Sequence, residues 1–280
     1  MLIKQFTSTT GPTVDIPQSL LKVFLLEVFE LFFSDDLLDI IVEESNRYAA
    51  QVMGDERYRE WRKITHEDVK AFFGFSILMG IDHLPSSVDD YWSKDPLLHY
   101  APIADSIPRW HFRELSQYLH SVDNDHLAPR GDPAHDRLGK VRPLIDHLSS
   151  KFEMLYEPSM NVAVDEAMIK FQGRSCLKQF MPKSRSNAAS KCGYWASGYF
   201  SRLDIYTGRK EDREVGLGAY VVKLTEGLKD KHHHVFFDNY FTSFRLLEDL
   251  EKDGIYGCGT ARKDRKEFPA ALKNPGLKER

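Results

Sequence analysis

Two apolar runs in this sequence each carry an aspartate where a buried strand would not normally accept one. The first is Val162-Ala163-Val164-Asp165-Glu166-Ala167-Met168-Ile169, continuing through Lys170-Phe171-Gln172-Gly173-Arg174-Ser175. The second is Val235-Phe236-Phe237-Asp238-Asn239-Tyr240-Phe241-Thr242-Ser243. Taking a carboxylate out of water is costly unless it is paired or coordinates a metal. Two such strands in one chain point to an acidic site for divalent cations, the arrangement that phosphoryl-transfer enzymes use. On spacing alone, each aspartate could instead cap a turn or pair with a nearby Arg or Lys.

The surrounding pattern divides the chain. Residues 1–18 are polar and read as a loose lead-in. From Ser19 to Met53, Leu, Phe, Ile and Val recur at helical steps, with Asp35-Asp36 marking a break between two helices. Thr65 followed by Asp68 is a helix-start signature, and that helix is expected to run to about Met79, before Gly80 and Pro85. Residues 86–106 read as a helical turn and loop around Tyr91-Trp92. A further helix follows Pro108, residues 122–135 form a polar loop, and a last helix covers about Asp136 to Tyr156. Beyond Pro158 the alternation becomes strand-like over Asn161–Phe171, Tyr199–Tyr206 and His234–Phe237. Leu217–Leu228 reads as helical. Thr242 or Ser243 is expected to cap a helix that stops at Gly254, with one more strand over Gly254–Thr260.

Composition narrows the function classes. Hydrophobic residues make up 42% and charged residues 29%, as in globular proteins. The net charge of -4 shows no overall basic excess of the kind a nucleic-acid binder often carries. The apolar run Leu20–Phe33 is interrupted by Lys22, Glu27 and Glu30, too short and too charged for a membrane span. The N-terminus lacks the basic-then-apolar order of a secretory signal. Cys176, Cys192 and Cys258 are odd in number and far apart, so neither a disulfide framework nor a Cys-x-x-Cys site is expected, and a reducing compartment fits.

Together with Tyr91-Trp92-Ser93, Asp136-Arg137-Leu138-Gly139-Lys140-Val141-Arg142-Pro143, Ile205-Tyr206-Thr207-Gly208 and Gly259-Thr260-Ala261-Arg262, the two acidic stretches closely resemble the piggyBac family of DDE/D transposases and the host proteins derived from them. The resemblance covers most of the chain. It implies an α/β fold: a mainly helical N-terminal region followed by an RNase H-like core. The expected domains are a helical dimerisation and DNA-binding region over 19–157, a partial RNase H-like core over 158–261, and a charged tail over 262–280. By motif match Asp165 and Asp238 are the first and second metal-binding catalytic acids, with Mg²⁺ or Mn²⁺ as cofactor. The resemblance also implies DNA as the partner (transposon ends and TTAA targets), possible homodimerisation and a nuclear location. Neither a membrane nor a small-molecule substrate is expected.

The pattern departs from the family in two places. The family sets a third acid well downstream of the second, and Glu166, Asp204 and Asp253 do not stand at that position. The core is therefore expected to be incomplete, without the third acid and without the family's C-terminal Cys/His-rich domain. Between Pro182 and Tyr199 the segment Lys183-Ser184-Arg185-Ser186-Asn187-Ala188-Ala189-Ser190 reads as altered, and is expected to weaken the second strand of the core. The resulting expectation is a transposase-derived DNA-binding protein with a remnant phosphoryl-transfer site. The alternatives are a domesticated, non-catalytic DNA-binding or protein-interaction factor, or a fragment of a longer active enzyme.

Several basic residues are candidate phosphate contacts: Arg137, Lys140 and Arg142; Arg174, Lys178, Lys183 and Arg185; and Arg262, Lys263 and Arg265. The Arg and Lys residues of the Asp136–Arg142 stretch could equally pair with Asp132, Asp136 and Asp146. His232-His233-His234 alternate across a strand and cannot all ligate one ion, so a solvated strand entry is expected there. Tyr91, Trp92 and Trp110 read as core aromatics. Gly216-Leu217-Gly218 lacks the lysine and the flanking order of a phosphate loop.

Overall fold

Helix boundaries follow local chemistry closely. Leu21–Phe32 is helical, the chain breaks at Ser34, and a second helix runs Asp35–Val52 with both aspartates in its first turn, where they suit the positive end of the helix dipole. Thr65 and Asp68 form the full capping box of the His66–Ile81 helix. That helix continues through Gly80 to Ile81 rather than stopping near Met79. The helix expected from Asp136 starts only at Arg142 and ends at Leu155, after a short 3-10 turn at Gly139–Val141. Asp136 holds the preceding turn by accepting from the Leu138 amide (2.8 Å).

The structure is a computed structural model that describes residues 5–15, 21–82, 87–170, 179–181, 186–196, 198–205, 217–265 and 268–273. The chain divides into two units, Phe33–His147 and the remainder (Met1–Phe32 with Leu148–Arg280). The first is helical. Leu37, Leu38, Ile41 and Ala49 of the Asp35–Val52 helix are buried with Val69 and Phe75 of His66–Ile81 and with Phe112, Leu115 and Tyr118 of the Arg109–Tyr118 helix. The three- and four-residue spacing of the buried positions in Asp35–Val52 and Arg109–Tyr118 gives each of these two helices an apolar face, and burial of those faces drives the assembly.

The second unit is built on a mixed sheet. We number the strands β1 (Gly11–Pro12), β2 (Tyr156–Glu157), β3 (Asn161–Lys170), β4 (Gln179–Met181), β5 (Ser186–Ala196), β6 (Tyr199–Ile205), β7 (His234–Phe237) and β8 (Tyr256–Gly259). The main sheet runs β4-β5-β3-β7-β8, with β6 also paired to β5, and β1 and β2 form a separate ladder. β3 is antiparallel to β5 and parallel to β7, which is parallel to β8. Val162, Val164, Val235 and Phe237 are buried with Val221 and Leu224 of the Leu217–Leu224 helix and with Leu246 and Leu250 of the Phe244–Lys252 helix. Fully burying each such side chain stabilises the fold by roughly 1.5–3 kcal/mol.

One expectation is corrected here. The segment after Pro182 was expected to weaken the second strand, yet β5 pairs with β3 over the whole stretch from Ala163↔Trp195 to Lys170↔Ala188. It also pairs with β6 and β4. Ser, Asn, Ala and Gly are poor strand formers in isolation, but ladder hydrogen bonds come from the backbone, and a strand flanked on both edges overrides weak propensity.

Candidate metal centre

β3 and β7 are paired in parallel at Asn161↔His234, Val162↔Val235, Ala163↔Phe236 and Val164↔Phe237. The next residue on β3 is Asp165, and the next after β7 is Asp238. The two acids therefore stand at the same step beyond one end of a shared ladder, on backbones that ordinary sheet spacing sets about 4.8 Å apart.

Both acids are exposed. This corrects the premise of buried carboxylates. Among the described side chains of these strands, Val162, Val164, Val235 and Phe237 face the core, while Phe236 is 42% exposed. Strand alternation places Asp165 on the side opposite Val164. A carboxylate there stays in contact with water, and its place beside Asp238, one step beyond the β3·β7 ladder, carries the functional argument instead.

The loop after β7 holds Asp238 in a defined conformation. One Asp238 carboxylate oxygen, Oδ1, accepts from the Tyr240 amide at 2.8 Å, an Asx turn. The Asp238 carbonyl accepts from the Thr242 amide (3.2 Å) and from the Thr242 hydroxyl (2.6 Å). Phe241 and Thr242 are each 2% exposed and anchor the loop from below. Ser243, not Thr242, caps the following helix by accepting from the Leu246 amide (3.2 Å). Gly259, at the end of β8, makes room for this arrangement. A β-carbon there would lie 2.7 Å from the Phe237 carbonyl oxygen and closer still to Thr242 Oγ1.

The donor set suits a divalent cation. Carboxylate oxygens are hard ligands, and Mg²⁺ is usually held by one or two of them, with water and phosphate oxygens completing the shell. Asp165 and Asp238 fit that mode, an ion shared between protein and phosphate. They do not form a closed cage: among the described residues, no group of three or more His, Cys, Asp or Glu gathers to hold a metal.

The expected phosphate contacts fall into three groups. Arg174, Lys178, Lys183 and Arg185 lie outside the described residues. Arg137, Lys140 and Lys263 are exposed. Three arginines are engaged within the chain. Arg142 grips Asp136 through Nε (2.7 Å) and a terminal nitrogen (3.0 Å), and these bonds hold the Asp136 carboxyl below the usual carboxylate range. Arg262 makes the same forked contact with Asp264 (3.1 and 2.9 Å). A terminal nitrogen of Arg265 donates to the main-chain carbonyls of Asn239 (2.9 Å) and Tyr240 (2.6 Å), inside the Asp238 loop.

Two further expectations change. His233 is fully buried rather than solvated. Its Nδ1 donates to the Ser159 carbonyl (3.0 Å), and the ring meets Phe6 edge-on. Trp110 is 55% exposed rather than a core aromatic, whereas Tyr91 is buried and Trp92 donates to the Ile107 carbonyl (2.6 Å). The supports of the Asp238 loop went unrecognised in the sequence, apart from one available signal: a glycine inside a strand often marks a close backbone approach, as at Gly259.

Comparison with known proteins places these features in context. A family model described as Transposase IS4 matches residues 26–280. The human PiggyBac transposable element-derived protein 2 is 32% identical over 262 residues, 89% of this chain and 41% of that protein. The human PiggyBac transposable element-derived protein 3 is 30% identical over 250 residues, 85% of this chain and 40% of that protein. The chain thus spans about two fifths of the length of these curated relatives. A cryo-EM structure of a piggyBac transposase synaptic complex with hairpin DNA shares the fold, with a TM-score of 0.80 at 24% identity, over 95% of this chain and 56% of that one.

Proposed function

From the premise that this chain belongs to the Transposase IS4 family, among its piggyBac-related members, we propose that it is a transposase-derived DNA-binding protein in which Asp165 and Asp238 hold Mg²⁺ or Mn²⁺ against a DNA phosphate. One observation carries the reading. The β3·β7 register brings two aspartates, distant in sequence, to the same step just beyond the shared ladder, Asp165 within β3 and Asp238 directly after β7, and both are exposed.

A bound divalent ion would polarise a phosphate oxygen and offset the charge that develops on it. The chain's own residues would supply the rest. Asp165 and Asp238 present oxygen donors, and the Asx turn fixes the orientation of Asp238. Exposed Lys263 and Lys140 offer charge to the DNA backbone. The function proposed for this chain is metal-assisted DNA binding at these two acids. An RNase H-like classification of the sheet, a nuclear location, homodimerisation and recognition of transposon ends with TTAA targets belong to the same proposal. Among the described residues, no helix is long and apolar enough to cross a membrane.

The test is a Mn²⁺ titration of the purified chain followed by thermal melting, with Asp165→Asn and Asp238→Asn alongside. A ligand at a hundred times its Kd adds about 2.7 kcal/mol of stability. The proposal expects a Mn²⁺-dependent rise in Tm that each substitution abolishes, and Mn²⁺-dependent binding of a hairpin duplex. A rise that survives both substitutions, or none at all, would sink it.

A further inference from the structure

We propose that Arg265 is a positioning residue for the Asp238 carboxylate, acting through the main chain of the loop rather than through DNA. This rests on the metal-binding reading of Asp165 and Asp238, and adds a residue from a separate part of the chain on which that site depends.

The geometry is specific. The Arg265 amide donates to the Arg262 carbonyl (3.1 Å), closing a turn, and the Arg265 carbonyl accepts from the Phe268 amide (3.0 Å). This turn directs the guanidinium into the loop between β7 and the next helix. There one terminal nitrogen bridges the carbonyls of Asn239 and Tyr240. Those peptides lie directly between Asp238 and the Tyr240–Phe241 link, and the Tyr240 amide is the group that orients Asp238 Oδ1. Holding both carbonyls on one side turns the Tyr240 N–H towards the carboxylate, because peptide N–H and C=O groups point in opposite directions from a planar unit.

The charge is committed inward. Arg265 Nε is shielded from solvent and, among the described residues, has no acceptor. Burying part of a guanidinium without full pairing is unfavourable, so the two carbonyl bonds must outweigh that cost. Both bonds leave one terminal nitrogen, whose two hydrogens are fixed in the guanidinium plane, so less rotamer freedom is lost per bond than with the freely turning ammonium of a lysine. Gly259 and Thr242 secure the other side of the same loop. Asp238 is therefore fixed from both flanks, as the groups behind metal ligands usually are.

The experiment compares the wild-type chain with Arg265→Ala, Arg265→Lys and Arg262→Ala. It reads Mn²⁺ affinity by electron paramagnetic resonance and amide hydrogen exchange at Tyr240 and Thr242. Loss of a group that orients a metal ligand typically weakens binding about 10- to 100-fold. We expect that loss in Arg265→Ala, with faster exchange at Tyr240, partial rescue in Arg265→Lys, and wild-type behaviour in Arg262→Ala. Free guanidinium at low millimolar concentration should restore part of the Mn²⁺ affinity of Arg265→Ala. If that variant melts far below wild type, Arg265→Gln, which keeps a donor group, takes its place. Unchanged Mn²⁺ affinity with faster loop exchange would overturn the positioning role, and unchanged exchange would overturn the loop contact itself. A wild-type chain that binds no Mn²⁺ would remove the metal reading and this role with it, while exchange at Tyr240 would still report whether Arg265 holds the loop.

Discussion

Thr242 occupies the space that a side chain on Gly259 would need. Its hydroxyl donates to the Asp238 carbonyl, and a β-carbon on Gly259 would sit within contact distance of that hydroxyl and 2.7 Å from the Phe237 carbonyl oxygen. Backbone at that distance cannot move aside without shifting the ladder. Gly259→Ala should therefore destabilise the chain by about 1–3 kcal/mol. Gly257→Ala should cost less, because its nearest obstacle is the Leu247 side-chain end at 2.7 Å, which can rotate away. Urea unfolding of both variants checks the order, and equal stabilities would refute it.

In the helical unit, Asp68 is buried and is shared by two helices. It accepts from His111 Nε2 (2.8 Å) and from the Thr65 amide (3.0 Å), and Arg62 approaches at 3.2 Å. Burial, the largest single influence, raises its pKa, but the His111 bond, the Thr65 bonds and the His111 charge outweigh it and hold the carboxyl below the usual range. A depressed carboxylate stabilises the fold above its unfolded pKa, about 3.9, and that contribution is lost as pH falls through the folded value. Asp68→Ala should cost about 1–3 kcal/mol at pH 7, since it strands a buried donor on His111. Its stability should then fall less than that of wild type between pH 4.5 and lower pH, as read by urea unfolding at each pH.

His233 sets a second pH window. Burial pushes its imidazole pKa down, and its Nδ1–H is committed to the Ser159 carbonyl. The unfolded chain takes up a proton near pH 6.5 that the folded chain resists, so stability is present above that pH and lost as pH falls through the folded value. His233→Asn should flatten the loss of Tm on going from pH 7 towards 5. His120, in the helical unit, is lowered first by burial and then by the Lys140 charge, and contributes in the same window. An unchanged slope in the His233 variant would refute the assignment.

Arg142 and Lys263 should behave oppositely in DNA binding. Arg142 is committed to Asp136, whereas Lys263 is exposed. If Lys263 meets a phosphate, Lys263→Ala lowers the slope of log K against log salt by about 0.9. Arg142→Gln should leave that slope unchanged and cost no more than about 1 kcal/mol of stability, since the pair is partly exposed. Fluorescence anisotropy across a salt series, with melts of both variants, decides this.

What the sequence determined by itself was local. The Thr65–Asp68 box, the break at Asp35-Asp36, the helix leading up to Gly254 and the strand character around Asp165 and Asp238 all follow from interactions spanning a turn or a few residues. The two aspartates were also conspicuous as candidates, because carboxylates inside apolar runs stand out. The tertiary structure alone decided that Asp165 and Asp238 come to the same step of neighbouring strands, that the weak strand former Ser186–Ala196 pairs on both sides, and that Arg142, Arg262 and Arg265 are bonded within the chain. Strand pairing joins residues far apart in the chain. It is set by which faces can be buried together, here Val162 and Val164 with Val235 and Phe237, and no local propensity encodes that choice. Exposure followed the same rule: among the described side chains Val162, Val164, Val235 and Phe237 are buried, whereas Asp165 and Asp238 are exposed.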